Sequence, residues 1–72
     1  MKTIVTVEGM MCMHCEKHVN EAVKKAFAVT DVASSHLAGQ TVITSEEALD
    51  AEKLMAVIRE AGYEPKTVRT EA

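Results

Sequence analysis

Two cysteines separated by two residues are the side chains of this chain that are best suited to chemistry. Cys12 and Cys15 lie in the segment Glu8–Cys15, which reads EGMMCMHC and stands between an apolar run and an amphipathic pattern. That position predicts a loop leading into the first turn of a helix, with both sulfurs able to point the same way. Because N–H groups at a helix start are unpaired and the helix dipole is positive there, a thiolate is stabilised and its pKa is lowered.

Thiolates are soft ligands that select thiophilic ions such as Cu(I) and Zn(II) over Mg(II) or Ca(II). A closed structural zinc site takes four protein ligands, whereas Cys12 and Cys15 supply two. Two thiolates suit an ion of low coordination number such as Cu(I). Other interpretations are a reduced structural pair and a thioredoxin-like redox motif. A disulfide across so short a loop adds little stability, and a thioredoxin fold needs a chain longer than 72 residues.

Three methionines accompany the cysteines, and their expected roles differ. Methionine is an adaptable filler of protein cores, so Met10 is predicted to pack in the core beneath the loop. Met11 and Met13 are predicted to lie in the exposed loop, where they shield the ion without ligating it.

The histidines and the single tyrosine are weaker candidates. His14 is able to supply a third ligand across a metal-bridged dimer, although an exposed imidazole is the simpler expectation. His18 is expected on the surface, and His36 is expected in a hairpin with no metal role. Tyr63 is predicted near the cysteines, either limiting water access to the metal or simply capping the core with its hydroxyl in water.

Composition indicates one globular domain that occupies residues 1–72. The chain is 47% hydrophobic and 26% charged, with one proline and three glycines, which disfavours disorder. Its net charge is −3 and its eight Lys and Arg residues are spread along the sequence, so nucleic acid is not an expected partner. RNA-recognition domains share the order of elements predicted below but stack bases on sheet aromatics, and this chain has one Tyr and one Phe.

No apolar run is long enough for a signal peptide or a membrane span. We therefore expect a cytosolic protein without membrane insertion. We also expect a binding protein and not an enzyme, because a thiol-disulfide oxidoreductase is the less favoured interpretation of the cysteine pair.

Hydrophobic periodicity predicts six elements. Lys2–Glu8 alternates as a half-buried strand, and helical spacing of apolar residues predicts helices over 14–27 and 51–61. A hairpin is predicted from 29–37 and 41–44, and a short last strand over 66–69. Asp50 is a predicted N-cap and Gly62 a predicted C′ residue of the second helix. The solvated face of the first helix is predicted to carry its charged residues Glu16, Lys17, Glu21, Lys24 and Lys25.

The order strand, helix, strand, strand, helix, strand is that of an α+β, ferredoxin-like sandwich. Such a fold has a four-stranded antiparallel sheet with both helices on one face. The cysteine loop and the turn after the second helix then emerge at the same end of the molecule, which places Tyr63 near the cysteines.

The motif GMMCMHC at 9–15, followed by a helix, a hairpin and Ala61-Gly62-Tyr63, resembles the heavy-metal-associated domain family, especially the small bacterial copper chaperones. The resemblance implies Cu(I) bound by Cys12 and Cys15, Met10 packed beneath the loop and Tyr63 close to the metal. It leaves open mercury-, zinc- or cadmium-handling members and a domain cut from an ATPase.

The same resemblance implies partners. It implies delivery of copper to the metal-binding domain of a copper-transporting P-type ATPase, and a copper-responsive repressor as another partner. It further implies a monomer without metal and a metal-bridged dimer when loaded. The sequence departs from the family where Ala28-Val29 replaces Gly-Val, and where Ser34 and His36 occupy positions that are frequently aliphatic. These departures bear on local packing.

Overall fold

The computed structural model describes residues 1–11 and 13–71. Its six elements, in chain order, are β1 (Lys2–Glu8), α1 (Met13–Ala26), β2 (Asp31–Ser35), β3 (Gln40–Thr44), α2 (Ala51–Glu60) and β4 (Glu64–Glu71). The strands form one antiparallel sheet in the order β2-β3-β1-β4. Helix α1 packs on β2 and on α2, and α2 packs on β4. The predicted α+β, ferredoxin-like sandwich is confirmed.

The core lies between the helices and the inward-facing residues of the strands. Alternation along β1 buries Thr3, Val5 and Val7 while their neighbours face outward, as period-two patterning requires. The apolar residues that complete the core are Met10, Val19, Val23, Val32, Ile43, Leu54 and Ile58. Most of these side chains are small aliphatics, so the core depends on close packing of many modest contributions.

Helix α2 begins and ends as its sequence predicts. The Asp50 side chain accepts hydrogen bonds from the N–H groups of Glu52 at 3.0 Å and Lys53 at 3.3 Å, which satisfies donors at the helix start. At the other end Gly62 adopts φ +99°, a conformation that glycine reaches without steric cost. This turn reverses the chain into β4 at Tyr63.

The last strand was predicted too short. It runs over eight residues, Glu64–Glu71, instead of 66–69. As the outermost strand on its side of the sheet, β4 buries only Pro65 and half-buries Val68, so its sequence carries almost no apolar alternation. Pairing with β1 defines it, with a register shift between Thr6 and Val7 opposite Pro65, where the missing proline N–H is tolerated.

The remaining element bounds differ from the predictions by small amounts. Helix α1 begins and ends one residue earlier than predicted, and α2 ends at Glu60 instead of 61. Strand β2 spans Asp31–Ser35 instead of 29–37, and β3 begins at Gln40 instead of 41. In the described part of the chain, neither helix is long and apolar enough to cross a membrane.

Candidate metal centre

The cysteine loop and the α2–β4 turn meet at one end of the sheet, as predicted. Strand β1 ends at Glu8, which lies opposite Glu64 in the register with β4. The next residue, Gly9, has φ +99°, and a Cβ built on it would lie 3.6 Å from Cδ1 of Tyr63. A contact of 3.6 Å would leave room for a Cβ, so the positive φ is what favours glycine at this sharp turn beside the Tyr63 ring.

Cys15 lies in the first turn of α1, a helix of 14 residues. Its side chain is half-buried and packs against the apolar core. The start of a helix in general has unpaired N–H groups and a positive dipole end, which favour a thiolate over a thiol. Cys12 lies outside the described residues, so its role as second ligand stays a prediction.

The methionines of the loop separate into buried and exposed positions. Met10 is 7% exposed and belongs to the core, while Met11 is 81% exposed and Met13 is 71% exposed. The burial of Met10 and the exposure of Met11 and Met13 agree with the sequence predictions, but Met13 is the first residue of α1 and not part of the loop as predicted. Met10 thus anchors the loop from below, and two long thioether side chains stand in solvent around the helix start.

Tyr63 contacts the exposed residue His18, and the sequence does not predict this contact. The Tyr63 hydroxyl lies 3.3 Å from Nδ1 of His18, and the two rings meet edge to face with centroids 5.9 Å apart. His18 and His14 are both exposed, as predicted. The contact joins residues 45 positions apart, so no local signal indicated it. It connects the second turn of α1 to the turn that follows α2.

Glu16 was predicted on the solvated face of α1, and that prediction is wrong. Its side chain is 21% exposed, and its Oε2 accepts the backbone N–H of His36 at 2.8 Å. The same oxygen lies 2.6 Å from Nδ1 of His36, and because a carboxylate only accepts, the ring nitrogen is the donor. These two hydrogen bonds, the backbone one first, lower the pKa of Glu16 below its ordinary value. His36 stands at the hairpin as predicted, but with a partner.

A second polar contact lies one turn further along α1. The Ser34 hydroxyl donates to Oδ1 of Asn20 at 2.6 Å and lies 2.9 Å from Oγ1 of the fully buried Thr41. Ser34 and His36 are the residues that depart from the family's aliphatic pattern. Their polar groups are satisfied by Asn20 and Glu16, so both departures are matched by complementary residues on α1. We call these two contacts the polar seam between α1 and the β2–β3 hairpin.

Within residues 1–11 and 13–71, no three His, Cys, Asp or Glu side chains form a group that could hold a metal ion. The nearby ion pair between Lys66 and Glu8, at 3.1 Å, joins two well-exposed side chains and contributes little to stability. The assignment of Cys12 and Cys15 as metal ligands thus stays a prediction from their spacing.

The chain belongs to the heavy-metal-associated domain family, which it matches over residues 4–64. Its similarity to the metallochaperone CopZ is 25% identity over 92% of this chain and 100% of that one, with a TM-score of 0.83.

The chain is also similar to two further proteins. The chain is 28% identical to oxidized MerP from Ralstonia metallidurans CH34, covering 97% of each chain with a TM-score of 0.81. It is also 35% identical over 60 residues to a mercuric reductase from Lysinibacillus sphaericus. That match covers 83% of this chain and spans 11% of the length of the reductase.

Proposed function

We propose that this protein is a copper chaperone that binds Cu(I) through Cys12 and Cys15. It passes the ion to the metal-binding domain of a copper-transporting P-type ATPase, in the cytosol, where thiols are kept reduced. The observation that carries the proposal is the position of Cys15, half-buried in the first turn of α1. At that position the helix start stabilises a thiolate while the adjoining loop remains open to a partner.

Transfer proceeds by ligand exchange. Cu(I) held by two sulfurs is undercoordinated, so a thiolate from the partner's own cysteine pair binds before either original bond breaks. Each incoming thiol gives up its proton on binding, and the thiolate of this protein that leaves is free to take one up. The ion is never released into water, and no catalytic residue is required.

Soft donors also suit mercury, and a mercury-handling domain is the second candidate. It is favoured by the 35% identity over 60 residues to a mercuric reductase. Two thiolates satisfy the linear geometry common to Hg(II) and Cu(I), so the cysteine pair alone does not separate the two ions. The ions must be compared directly.

The test is competition for Cu(I) against a strong chelator under anaerobic conditions, with Hg(II) and Zn(II) measured beside it. Cys12→Ser and Cys15→Ser are each expected to abolish tight Cu(I) binding and to leave the circular dichroism spectrum unchanged. Lys17→Ala, an exposed change on the same helix, serves as the control and should bind as the parent does. Retention of one-to-one affinity in either cysteine variant would refute the proposed ligands.

Transfer requires its own measurement. Loaded protein is mixed with an ATPase metal-binding domain, and the copper content of each is determined after separation, with free Cu(I) trapped by chelator. Chaperone function predicts transfer without capture of copper by the trap. Binding without transfer, or a preference for Hg(II) in both assays, would favour the second candidate.

A further inference from the structure

We infer that Glu16 and His36 are positioning residues for the metal-binding thiolates, an inference that rests on the proposed function. The pair holds the first turn of α1, and with it Cys15, in place against the turn between β2 and β3. Glu16 directly follows Cys15 in sequence. Any motion of the Glu16 backbone therefore moves the sulfur-bearing residue as well.

The turn between β2 and β3 is hydrogen-bonded to the chain both before and after the cysteine loop. Before the loop, the N–H of Val7 donates to the carbonyl of Gly39 at 2.8 Å. After the loop, Glu16 accepts the N–H and the ring nitrogen of His36 at 2.8 and 2.6 Å. One short turn thus contacts the chain at the residues that precede the cysteine loop and at those that follow it.

This turn is itself well ordered by hydrogen bonds. The N–H of Gly39 donates to the carbonyl of Ser35 at 2.9 Å, and the N–H of Ala38 donates to the Ser35 hydroxyl at 3.2 Å. His36 lies between these bonded residues. The turn therefore fixes the position of the His36 N–H, one of the two donors whose hydrogen bonds Glu16 accepts.

Apolar packing contributes less at this end of α1 than further along the helix. The fully buried residues of the helix are Val19 and Val23, and the first of them follows Cys15 by one turn. Met13 and His14 are exposed, and Cys15 itself is half-buried. The half-buried Cys15 packs against the core, and the two hydrogen bonds between His36 and Glu16 add directed contacts at this turn, which matters because terminal turns open most readily.

Loss of this pair should affect metal retention more than folding. Groups that orient metal ligands typically change affinity or activity by 10–100-fold when removed. We expect Glu16→Ala to speed removal of Cu(I) by a chelator about tenfold, at the lower end of that range. His36→Ala should have a smaller effect, because the backbone N–H of residue 36 still donates to Glu16.

Glu16→Gln is the conservative variant. Its amide oxygen accepts both donors, so it should restore a release rate close to that of the parent, although the charge is lost. Asn20→Ala breaks the second contact of the polar seam, one turn away from Cys15, and controls for general loosening of α1. Glu21→Ala removes an exposed carboxylate of the same helix and controls for charge. Neither control should change the release rate.

A second readout uses metal-free protein. The rate at which Cys15 is alkylated, assigned by mass spectrometry of proteolytic peptides, should rise in Glu16→Ala and return in Glu16→Gln, because an opened first turn exposes the half-buried thiol. The double variant Glu16→Ala/His36→Ala should be no faster than Glu16→Ala alone, since both changes break one contact.

Two results would overturn the inference. One is a Glu16→Ala rate, in either readout, equal to that of Asn20→Ala. The other is a Glu16→Gln variant as fast as Glu16→Ala, which would assign the effect to charge. If the parent fails to bind Cu(I), the proposed function fails, whereas the alkylation rates still test the positioning role.

Discussion

The two helices lie on the same sheet but are held to it in different ways. Helix α2 buries Leu54 and Ile58 completely and is closed at its start by the Asp50 side chain. Helix α1 buries Val19 and Val23, but its first turn, which carries Cys15, is joined to the β2–β3 turn by hydrogen bonds between His36 and Glu16.

The difference follows the position of the predicted ligand. Apolar contacts have little directional preference, whereas hydrogen bonds require defined distances and angles. Directed contacts therefore fix the end of α1 that carries Cys15, and apolar contacts supply stability elsewhere. In this domain, hydrogen bonds position the Cys15 end of α1, whereas apolar packing supplies most of the stability of the fold.

Among the apolar contacts, loss of those made by Met10 should lower the stability of the domain most. Met10→Ala removes a side chain that is 7% exposed and is expected to lower the free energy of unfolding by about 2–5 kcal/mol, through lost contacts and a residual void. Met13→Ala, three residues away and 71% exposed, is the matched control and should be nearly neutral. Equal shifts of the two urea midpoints would show that Met10 does not anchor the loop.

The Tyr63 ring tests whether the α2 side of the site also controls the metal. Tyr63→Ala is expected to speed loss of Cu(I) to a chelator about tenfold by opening the site to water and small thiols. Tyr63→Phe keeps the ring beside Gly9 and loses only the hydroxyl contact with His18, so its rate should match that of the parent. An alanine variant as slow as the parent would make Tyr63 a core cap alone.

Two fully buried threonines allow the polar seam to be compared with the apolar core. Thr41 shares a hydrogen bond with Ser34, whereas Oγ1 of Thr3 has no hydrogen-bond partner among residues 1–11 and 13–71. Thr41→Val should therefore destabilise by about 1 kcal/mol, and Thr3→Val should stabilise by up to about 1 kcal/mol. The measurement is urea denaturation of metal-free protein. Changes of the same sign would contradict the assignment of the two environments.

The smallest expected effect is on the stability of the metal-free protein at acidic pH. Hydrogen bonds from the N–H and then from the ring of His36 hold the pKa of Glu16 below its ordinary value of 4.5. A group whose pKa is lower in the folded state adds stability above its unfolded pKa and loses that contribution as pH falls through the folded pKa. Below pH 4.5, stability should thus fall more steeply in the metal-free parent than in Glu16→Gln. Parallel acid profiles would contradict this expectation.

The elements that bury a regular stripe were predictable from sequence. Strand β1 was predicted with its observed bounds, and α2 with its cap at Asp50, because apolar periodicity and capping are local properties of the chain. Strand β4 was not predictable at its true length, since an outer strand of Lys, Thr, Arg and Glu residues is defined by the neighbour it pairs with.

At the site, residue types were predictable but contacts were not. The spacing of Cys12 and Cys15 and the burial of Met10 are readable from the motif. The partners of Glu16, Asn20 and His18 lie 20, 14 and 45 positions away, and no periodicity encodes them. Glu16 was placed on the wrong side because a charged residue next to charged neighbours is usually solvated.

The contact between Tyr63 and the cysteine loop also gives the molecule an optical reporter. The chain contains one tyrosine and no tryptophan, so its ultraviolet-excited emission arises from the ring that lies against Gly9 and His18. Under the proposed function, a metal ion bound by Cys12 and Cys15 would change the surroundings of this ring. We therefore expect the tyrosine emission of the unlabelled protein to change on loading.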